Sequence, residues 1–152
     1  MKTIADLADS QPMSVAALDD CQLRAAAQTR ITELCAQHGI RVPTLAFNLR
    51  GRSAGRADPR HHHIRLNPVL FRENYDAFIG ITIPHELCHL WHHQLGLSGR
   101  VHGREWQRLM RRMGVDDPCR THSYDTSRAG VRRTRRFTYQ CRCRTHMITR
   151  VI

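Results

Sequence analysis

Apolar side chains recur at helical spacing in three parts of the chain. Residues 14–38 show this spacing along one face, and Gly39 follows where such a helix would end. Residues 77–95 are apolar on most sides, which is typical of a buried helix. Residues 106–113 place Trp, Leu and Met side chains at i, i+3, i+4 and i+7, and Gly114 follows. The pattern therefore predicts three helices, of which the middle one lies in the core.

Alternation of apolar and polar residues predicts strands between the first two helices. Residues 44–49 alternate in this way directly after Pro43, and residues 61–66 are a second candidate. The glycine-containing stretch 51–58 predicts a hairpin connection or a short strand. Pro68 stands at the first position of a short helix, where proline is favoured. A small sheet beside a buried helix predicts the α+β fold class.

The buried helix carries the motif H-E-x-x-H as His85-Glu86-Leu87-Cys88-His89. Positions i and i+4 of a helix share a face, so His85 and His89 can direct two imidazoles at one ion, with Glu86 beside it. Burying these groups without partners costs several kcal/mol by typical estimates, and a metal ion removes that cost. Pro84 predicts a kink, or a helix that begins near it. The motif therefore predicts the site of a zinc hydrolase.

A tetrahedral catalytic zinc needs three protein ligands and one open position. The third ligand of the metzincin pattern would stand six residues after His89, where this chain has Leu95, so that class is excluded. His102 follows His89 by 13 residues, beyond a glycine-rich loop that can return the chain to the metal. Other candidates for the third ligand remain: Glu105, His92 and His93.

Four motifs of this chain occur in the order and spacing of the SprT-like proteins, whose eukaryotic relative is Spartan. They are His85-Glu86-Leu87-Cys88-His89, His102-Gly103-x-Glu105-Trp106, Arg120-Thr121-His122 and Tyr139-Gln140-Cys141-Arg142-Cys143. From about Leu45 onward the chain therefore resembles this family.

The resemblance implies a minimal zincin-like fold in which the active-site helix packs on a small β-sheet. It also implies that His85, His89 and His102 bind Zn²⁺ and that Glu86 is the general base of a zinc metallopeptidase. In such a site zinc lowers the pKa of its bound water to about 7, and Glu86 takes the proton. The implied substrates are DNA-associated or DNA-crosslinked proteins, which would give the enzyme a role in DNA–protein crosslink repair.

A polar cluster at residues 120–125 matches a family segment that lies near the catalytic site. On this interpretation His122, Tyr124 or Arg120 stabilises the oxyanion of a tetrahedral intermediate. The alternative is a polar loop that only hydrogen-bonds the preceding helix.

Positive charge is concentrated in the last third of the chain. The net charge is +11, but residues 1–99 hold ten basic and nine acidic side chains, whereas residues 100–152 hold fourteen and four. Arginine suits bidentate phosphate contacts, and arginines interleaved with aromatic rings suit single-stranded DNA. A solvated linker in an arginine-rich protein is the alternative. The candidate nucleic-acid-binding residues are Arg128, Arg132, Arg133, Arg135 and Arg136.

The chain divides on these grounds into a zincin-like domain at residues 1–125 and a basic, arginine-rich segment at residues 126–152. That segment contains Cys141 and Cys143, which resemble the first half of the family's zinc ribbon. A closed zinc site needs four ligands, and only His146 is at hand besides these two cysteines. Cys141, Cys143 and His146 are thus the candidate ligands of a second metal site, one ligand short of a closed set.

The remaining four of the six cysteines do not predict disulfides. Cys21, Cys35 and Cys88 fall within apolar helical patterns and are expected in the core, whereas Cys119 is expected to be a loop thiol. The N-terminal residues lack the apolar region of a signal peptide, and no apolar run is long enough for a membrane span. The expected location is the cytoplasm, in association with the nucleoid if the protein is bacterial, and no membrane partner is expected.

Two other classes of function agree with the same residues. One is a nucleic-acid-binding or transcription-related protein whose zinc is structural and which has no proteolytic activity. The other is a metal-dependent hydrolase of a non-peptide substrate. Replacement of Glu86 separates the first class from a protease, because a structural zinc site needs no general base.

Overall fold

A computed structural model describes residues 18–130, 137–140 and 145–148 of the 152-residue chain. The described part contains helices of up to 19 residues and two small sheets, which confirms the α+β class. In chain order the elements are α1 (Asp20–His38), β1 (Thr44–Ala46), β2 (Gly55–Asp58), β3 (His63–Leu66), α2 (Pro68–Glu73), α3 (Tyr75–Ala77), a π-helical turn (Phe78–Thr82), α4 (Ile83–Gln94), α5 (Arg104–Arg112), β4 (Phe137–Gln140) and β5 (Thr145–Ile148).

Helix α1 begins and ends at residues that satisfy its terminal backbone groups. The Asp19 side chain accepts a hydrogen bond from the Gln22 backbone at 2.8 Å, and the Gln22 side chain accepts one from the Asp19 backbone at 3.0 Å. At the other end Gly39 has a φ of 66°, which confirms the predicted glycine stop. Cys21 was expected in the core and is exposed, because helical spacing places it off the buried face that Leu23, Ala27 and Ile31 form.

The larger sheet has three strands in the order β1-β3-β2. Strand β1 is parallel to β3, and β2 is antiparallel to β3 with Gly55 opposite Leu66. The strand predicted at residues 44–49 is shorter than expected and ends at Ala46. The Leu49 backbone still donates to the Leu66 carbonyl at 3.2 Å, so the chain remains beside β3 after leaving regular pairing. This topology leaves β2 at the edge of the sheet.

The predicted buried helix consists of two parts. Residues Phe78–Thr82 form a π-helical turn, and α4 runs from Ile83 to Gln94 with Pro84 in its first turn. The Ile83 amide donates to the Phe78 carbonyl, so the π-helical turn runs directly into α4, and Pro84, which has no N–H to donate, stands where the α-helical pattern starts. The expectation that the helix begins near Pro84 is therefore confirmed. Most of α4 is buried as predicted, whereas Ile81 is 47% and Leu95 is 49% exposed.

Helix α4 lies at the centre of the fold, between α1, α5 and strand β2. Strands β4 and β5 form a separate antiparallel pair. None of the helices in the described ranges combines the length and apolar character needed to cross a membrane. The largest fully buried side chains are Trp106, Phe71, Phe78, Leu23, Ile31, Leu34, Ile64, Leu66, Leu70, Ile83, Leu87 and Leu90.

Candidate metal centre

Three histidines converge on one point beside α4. His85 and His89 come from successive turns of the helix, and His102 comes from the loop before α5. The His102 Nε2 atom lies 3.1 Å from the Nε2 atoms of both His85 and His89. Within the described residues this is the only group of three or more His, Cys, Asp or Glu side chains close enough together to hold a metal ion.

The spacing of these nitrogen atoms fits a tetrahedral metal site. With Zn–N bonds of about 2.0–2.1 Å, tetrahedral geometry separates two ligand nitrogens by about 3.3 Å. The two distances of 3.1 Å agree with this value. Three imidazoles cannot all satisfy one another by hydrogen bonds, since a neutral ring carries one proton. A metal ion bound by all three nitrogens satisfies them together.

Electrostatics keep the three rings neutral, which is the form that binds metal. Burial lowers the pKa of His85 to about 4, with further lowering by His102 and His122, while a hydrogen bond to the Cys119 backbone opposes the shift. Burial, followed by the neighbouring histidines, lowers the pKa of His89 to about 3. Burial and the Arg120 guanidinium lower the pKa of His102. At neutral pH each ring therefore has a lone pair for a metal.

His102 reaches the other two histidines through an unusual backbone conformation. Its φ is 62°, in the left-handed region that few residues other than glycine adopt. Gly96 and Gly99 in the preceding loop also have positive φ, at 63° and 120°. Backbone strain of this kind is concentrated at functional sites. Glu105, a competing candidate in the sequence, instead forms an ion pair with Arg108.

Trp106, in the first turn of α5, packs against all three histidines. Its ring centroid lies 4.8 Å from that of His85, 5.8 Å from that of His89 and 4.7 Å from that of His102. The residue is only 2% exposed. The helix predicted from residues 106–113 thus places its tryptophan against the site, and the ring limits how far each imidazole can rotate.

Glu86 lies beneath strand β2 and is only 7% exposed. Burial raises its pKa to about 7, and a hydrogen bond from the Ala57 backbone and the Arg56 guanidinium act in the opposite direction. Gly55 in β2 passes so close to Glu86 that an added Cβ would lie 2.6 Å from its Cγ. The edge strand therefore packs directly on this carboxyl group and fixes its position beside the histidines.

Two cavities of about 540 and 680 Å³ meet at Gly55, His85 and Glu86. The smaller cavity runs toward the segment 119–126, and the larger one runs along the loop 96–102. Glu86 is the only carboxylic acid among the side chains that line either cavity. The two cavities together form a cleft along the edge of the sheet, with the histidines and Glu86 at its centre.

The far wall of this cleft is fixed to the rest of the fold by its own side chains. The Tyr124 hydroxyl lies 2.9 Å from the Thr82 hydroxyl, and the Tyr124 ring stacks on Phe78 at 5.6 Å. The His122 Nε2 donates to the Arg52 carbonyl at 2.8 Å, and its Nδ1 accepts from the Tyr124 backbone at 3.2 Å. These contacts place residues 120–124 across the cleft from Glu86.

A model of the SprT-like family matches residues 25–136 of this chain. The chain belongs to the SprT-like family. Protein SprT of Shewanella oneidensis is 42% identical over 101 residues, which are 66% of this chain and 63% of that protein. Protein SprT of Pseudomonas aeruginosa is 42% identical over 111 residues, covering 72% of this chain and 66% of that protein. Protein SprT of Escherichia coli is 39% identical over 137 residues, covering 84% of this chain and 79% of that protein.

The SprT-like chain thus aligns with slightly less than two thirds of the length of the Shewanella and Pseudomonas relatives. No solved structure matches it. The family assignment confirms the resemblance drawn from the four motifs, and the cluster of three histidines agrees with a metal-binding SprT-like protein.

Two residues near the metal centre had no signal in the sequence. Gly55 looked like a turn residue, and its closeness to Glu86 depends on how β2 packs over α4. Cys119 was expected only as a loop thiol and is exposed, yet its backbone hydrogen-bonds the His85 ring. Both contacts join segments that are distant in sequence.

The remaining predicted site residues lie in or after the far wall. Arg120 is exposed and has no hydrogen-bond or ion-pair partner among the described residues. Arg128 forms an ion pair with Glu73 at 2.8 Å. His146 has its backbone in β5. The catalytic, DNA-binding and second-metal roles assigned to these residues stay predictions. The other candidates lie outside the described residues: Arg132, Arg133, Arg135, Arg136, Cys141 and Cys143.

Proposed function

We propose that this SprT-like chain is a zinc-dependent peptidase that cleaves proteins bound or crosslinked to DNA. The observation that carries the proposal is the convergence of three Nε2 atoms, two of the distances being 3.1 Å, next to the buried carboxyl of Glu86 in an open cleft. A purely structural zinc site has four protein ligands. Only three ligands converge among the described residues, and this number fits a catalytic site.

His85, His89 and His102 would hold the metal through their Nε2 atoms. When bound there, Zn²⁺ supplies a Lewis acid that polarises a carbonyl and makes a water molecule more acidic. Glu86 accepts a proton from that water as the oxygen attacks the carbonyl carbon of a peptide. When the C–N bond breaks, Glu86 returns the proton to the leaving nitrogen. One carboxyl group thus serves as base and then as acid.

The outer edge of β2 suits an extended peptide. The Asn67 backbone donates to the Ala54 carbonyl at 2.9 Å, which marks Ala54 as a hydrogen-bonded position of the β2–β3 pair. In an antiparallel pair such positions alternate, so the backbone groups of Gly55 and Ala57 point away from β3. The Ala57 amide donates to Glu86 on this side, so the backbone groups open to a substrate are those of Gly55 and the Ala57 carbonyl. A substrate chain added along this edge would pass over Glu86 and the histidines.

Residues across the cleft would face the substrate carbonyl. Arg120 supplies a charged donor without a hydrogen-bond or ion-pair partner among the described residues. Burial raises the pKa of Tyr124, so its hydroxyl keeps its proton at neutral pH. Both ring nitrogens of His122 already form hydrogen bonds, so its contribution is to shape this wall. We assign oxyanion stabilisation to Arg120 first and Tyr124 second.

DNA is proposed as the partner because of the charge distribution. The excess of ten positive charges in residues 100–152 suits a polyanion, and arginines near aromatic residues suit single strands. Such a partner would bring the cleft close to proteins bound on the same DNA and raise their local concentration.

The test is cleavage of a DNA-bound protein by wild type and by Glu86→Gln, with zinc content measured for both. Gln retains the shape of the side chain but cannot accept the proton. We expect stoichiometric zinc in both proteins and cleavage only by wild type. Equal cleavage by both would exclude Glu86 as the base. Absence of cleavage by wild type carrying zinc would favour a binding protein with a structural metal.

The DNA dependence is tested with the same substrate free and bound to single-stranded DNA. We expect faster cleavage of the DNA-bound form, and we expect added salt to reduce the difference, because phosphate contacts weaken as salt rises. A variant in which Arg132, Arg133, Arg135 and Arg136 are replaced by Gln should cleave both forms at the slower rate. Equal rates for wild type on both forms would remove DNA from the proposal.

A further inference from the structure

We infer that Gly55 is a positioning residue for Glu86, because the missing side chain at Gly55 leaves the space that the glutamate occupies beside the histidines. The inference rests on the proposed role of Glu86 as the base. It adds a residue from the edge strand to a site whose recognisable sequence motif lies in the helix.

The geometry of the contact carries this inference. A Cβ atom built at Gly55 would lie 2.6 Å from Glu86 Cγ, 2.7 Å from Oε1 and 2.9 Å from Cδ. Non-bonded carbon atoms attract best at about 3.5–4.0 Å, so all three distances are repulsive. The clash includes Cγ, near the base of the side chain. A small rotation of the carboxyl group therefore cannot relieve it.

Space, and not backbone conformation, explains why glycine stands at position 55. Six glycines of the described chain have positive φ, and Gly55 is not among them. Among the glycines of the described residues, an added Cβ would have a neighbour within 4 Å only at Gly55 and Gly103. At Gly103 the neighbouring atoms belong to Arg100 and not to Glu86. Among the described glycines, Gly55 is thus the one whose missing side chain leaves space for Glu86.

Strand β2 is held in place, so the glutamate is the part that must move. Ala54, next to Gly55, is 4% exposed, and its carbonyl accepts from the Asn67 backbone at 2.9 Å. The Asn67 side chain in turn donates to the carbonyls of Gly51 and Ser53 at 3.1 and 3.3 Å. These bonds fix the entry to β2. A methyl group at position 55 would therefore push Glu86 away from the floor of the cleft.

Displacement of Glu86 would separate two functions of the site. The three histidines approach one another through α4, the loop and Trp106, so the metal-binding group does not depend on position 55. A displaced carboxyl group can no longer accept a proton from a water at the centre of the cleft. Misplacement of a catalytic group by about 1 Å can lower a rate by about 10²-fold.

The first experiment compares Gly55→Ala with Gly80→Ala, a control glycine that has no neighbour within 4 Å of an added Cβ and no positive φ. We expect both variants to bind one zinc ion as wild type does. Gly55→Ala should cleave about 10²-fold more slowly, whereas Gly80→Ala should remain within about twofold of wild type. A zinc-loaded Gly55→Ala protein with wild-type activity would overturn the inference.

The second experiment measures the contact without activity or metal. Melting temperatures of the metal-free protein are determined for Gly55→Ala, Glu86→Ala and the double variant. If the two side chains compete for one space, the shift caused by Gly55→Ala should differ between the Glu86 and Glu86→Ala backgrounds by about 2 °C or more. Equal shifts would show that there is no contact and overturn the inference. If wild type cleaves no substrate, the proposed function fails, and this cycle alone decides the position of Glu86.

Discussion

Trp106 offers the sharpest test of how the fold supports the metal centre. The residue is 98% buried, and its ring lies within 5.8 Å, centroid to centroid, of all three histidine rings. A buried tryptophan removes about 150–250 Å² from water, worth about 4–6 kcal/mol at 25 cal/mol per Å². Measured Trp→Ala changes cost about 3–5 kcal/mol, which is the loss expected for Trp106→Ala.

Trp106→Phe should behave differently because of one atom. The indole Nε1 is buried and has no hydrogen-bond partner among the described residues. Removing an unsatisfied donor returns about 1–3 kcal/mol, and the smaller ring loses about 1–2 kcal/mol of burial. The two effects nearly cancel, so we expect a change in unfolding free energy within about 1 kcal/mol. The phenyl ring still packs against the histidines and should preserve metal binding.

The chain contains a matched control in its other tryptophan. Trp91 is 3% exposed, but its ring contacts His38 at 4.8 Å and the Arg112 guanidinium at 4.8 Å, away from the three histidines. Trp91→Ala should cost as much stability as Trp106→Ala and leave zinc affinity unchanged. Trp106→Ala should weaken zinc binding about 10–100-fold, the effect typical of losing a supporting group of a metal site.

Urea unfolding of the metal-free variants and zinc titration against a competing chelator measure these quantities separately. Equal zinc affinity for the two alanine variants would refute the role of Trp106 in orienting the ligands. A stability loss for Trp106→Phe as large as that for Trp106→Ala would refute the reasoning about the unsatisfied donor.

Three further predictions follow from the described residues. Burial raises the pKa of Cys35 to about 11 and that of Cys88 to about 12, so neither thiol should be alkylated in the folded protein at pH 8. The exposed thiols of Cys21 and Cys119 should react, and peptide mass spectrometry measures alkylation at each cysteine. Asn67→Ala should lower the unfolding free energy measured in urea by about 2–4 kcal/mol, since it removes the cap of α2 and two partly buried hydrogen bonds. A loss of less than about 1 kcal/mol would contradict this. Removal of the metal by a chelator should lower the melting temperature by about 10 °C relative to protein with zinc at about 1,000 times its dissociation constant. A melting temperature that calorimetry finds unchanged would argue against zinc binding at the three histidines.

Local periodicity made part of the metal centre predictable. His85 and His89 share a helix face because they are four residues apart, and the apolar residues around them place that face in the core. Gly39 ends α1 as expected, because a helix stop depends on a residue that accepts positive φ. Pro84 likewise indicated where the regular helix begins. These features depend on neighbours within one or two turns of the chain.

Contacts between segments that are distant in sequence could be identified only from the three-dimensional structure. In the sequence His102 competed with Glu105 and two other histidines, and it was the left-handed backbone at φ 62° that turned its ring toward His85 and His89. Cys21 shows the converse, because an apolar residue in a helical pattern turned out to be exposed. Which side of α1 meets α4 is settled by packing and is not encoded at one position.

The sequence by itself thus determined the α+β class, the SprT-like family and the helical half of the metal centre, because helix periodicity and motif spacing are properties of the chain alone. The family resemblance named His102 and the segment 120–125, but only the tertiary structure gave the approach of His102 to the other two histidines, the wall at residues 120–124 and the pairing of Gly55 with Glu86. Each of these depends on a distance of a few ångströms between segments separated by 13 to 70 residues. Such distances are fixed only when the sheet, α4 and α5 pack against one another.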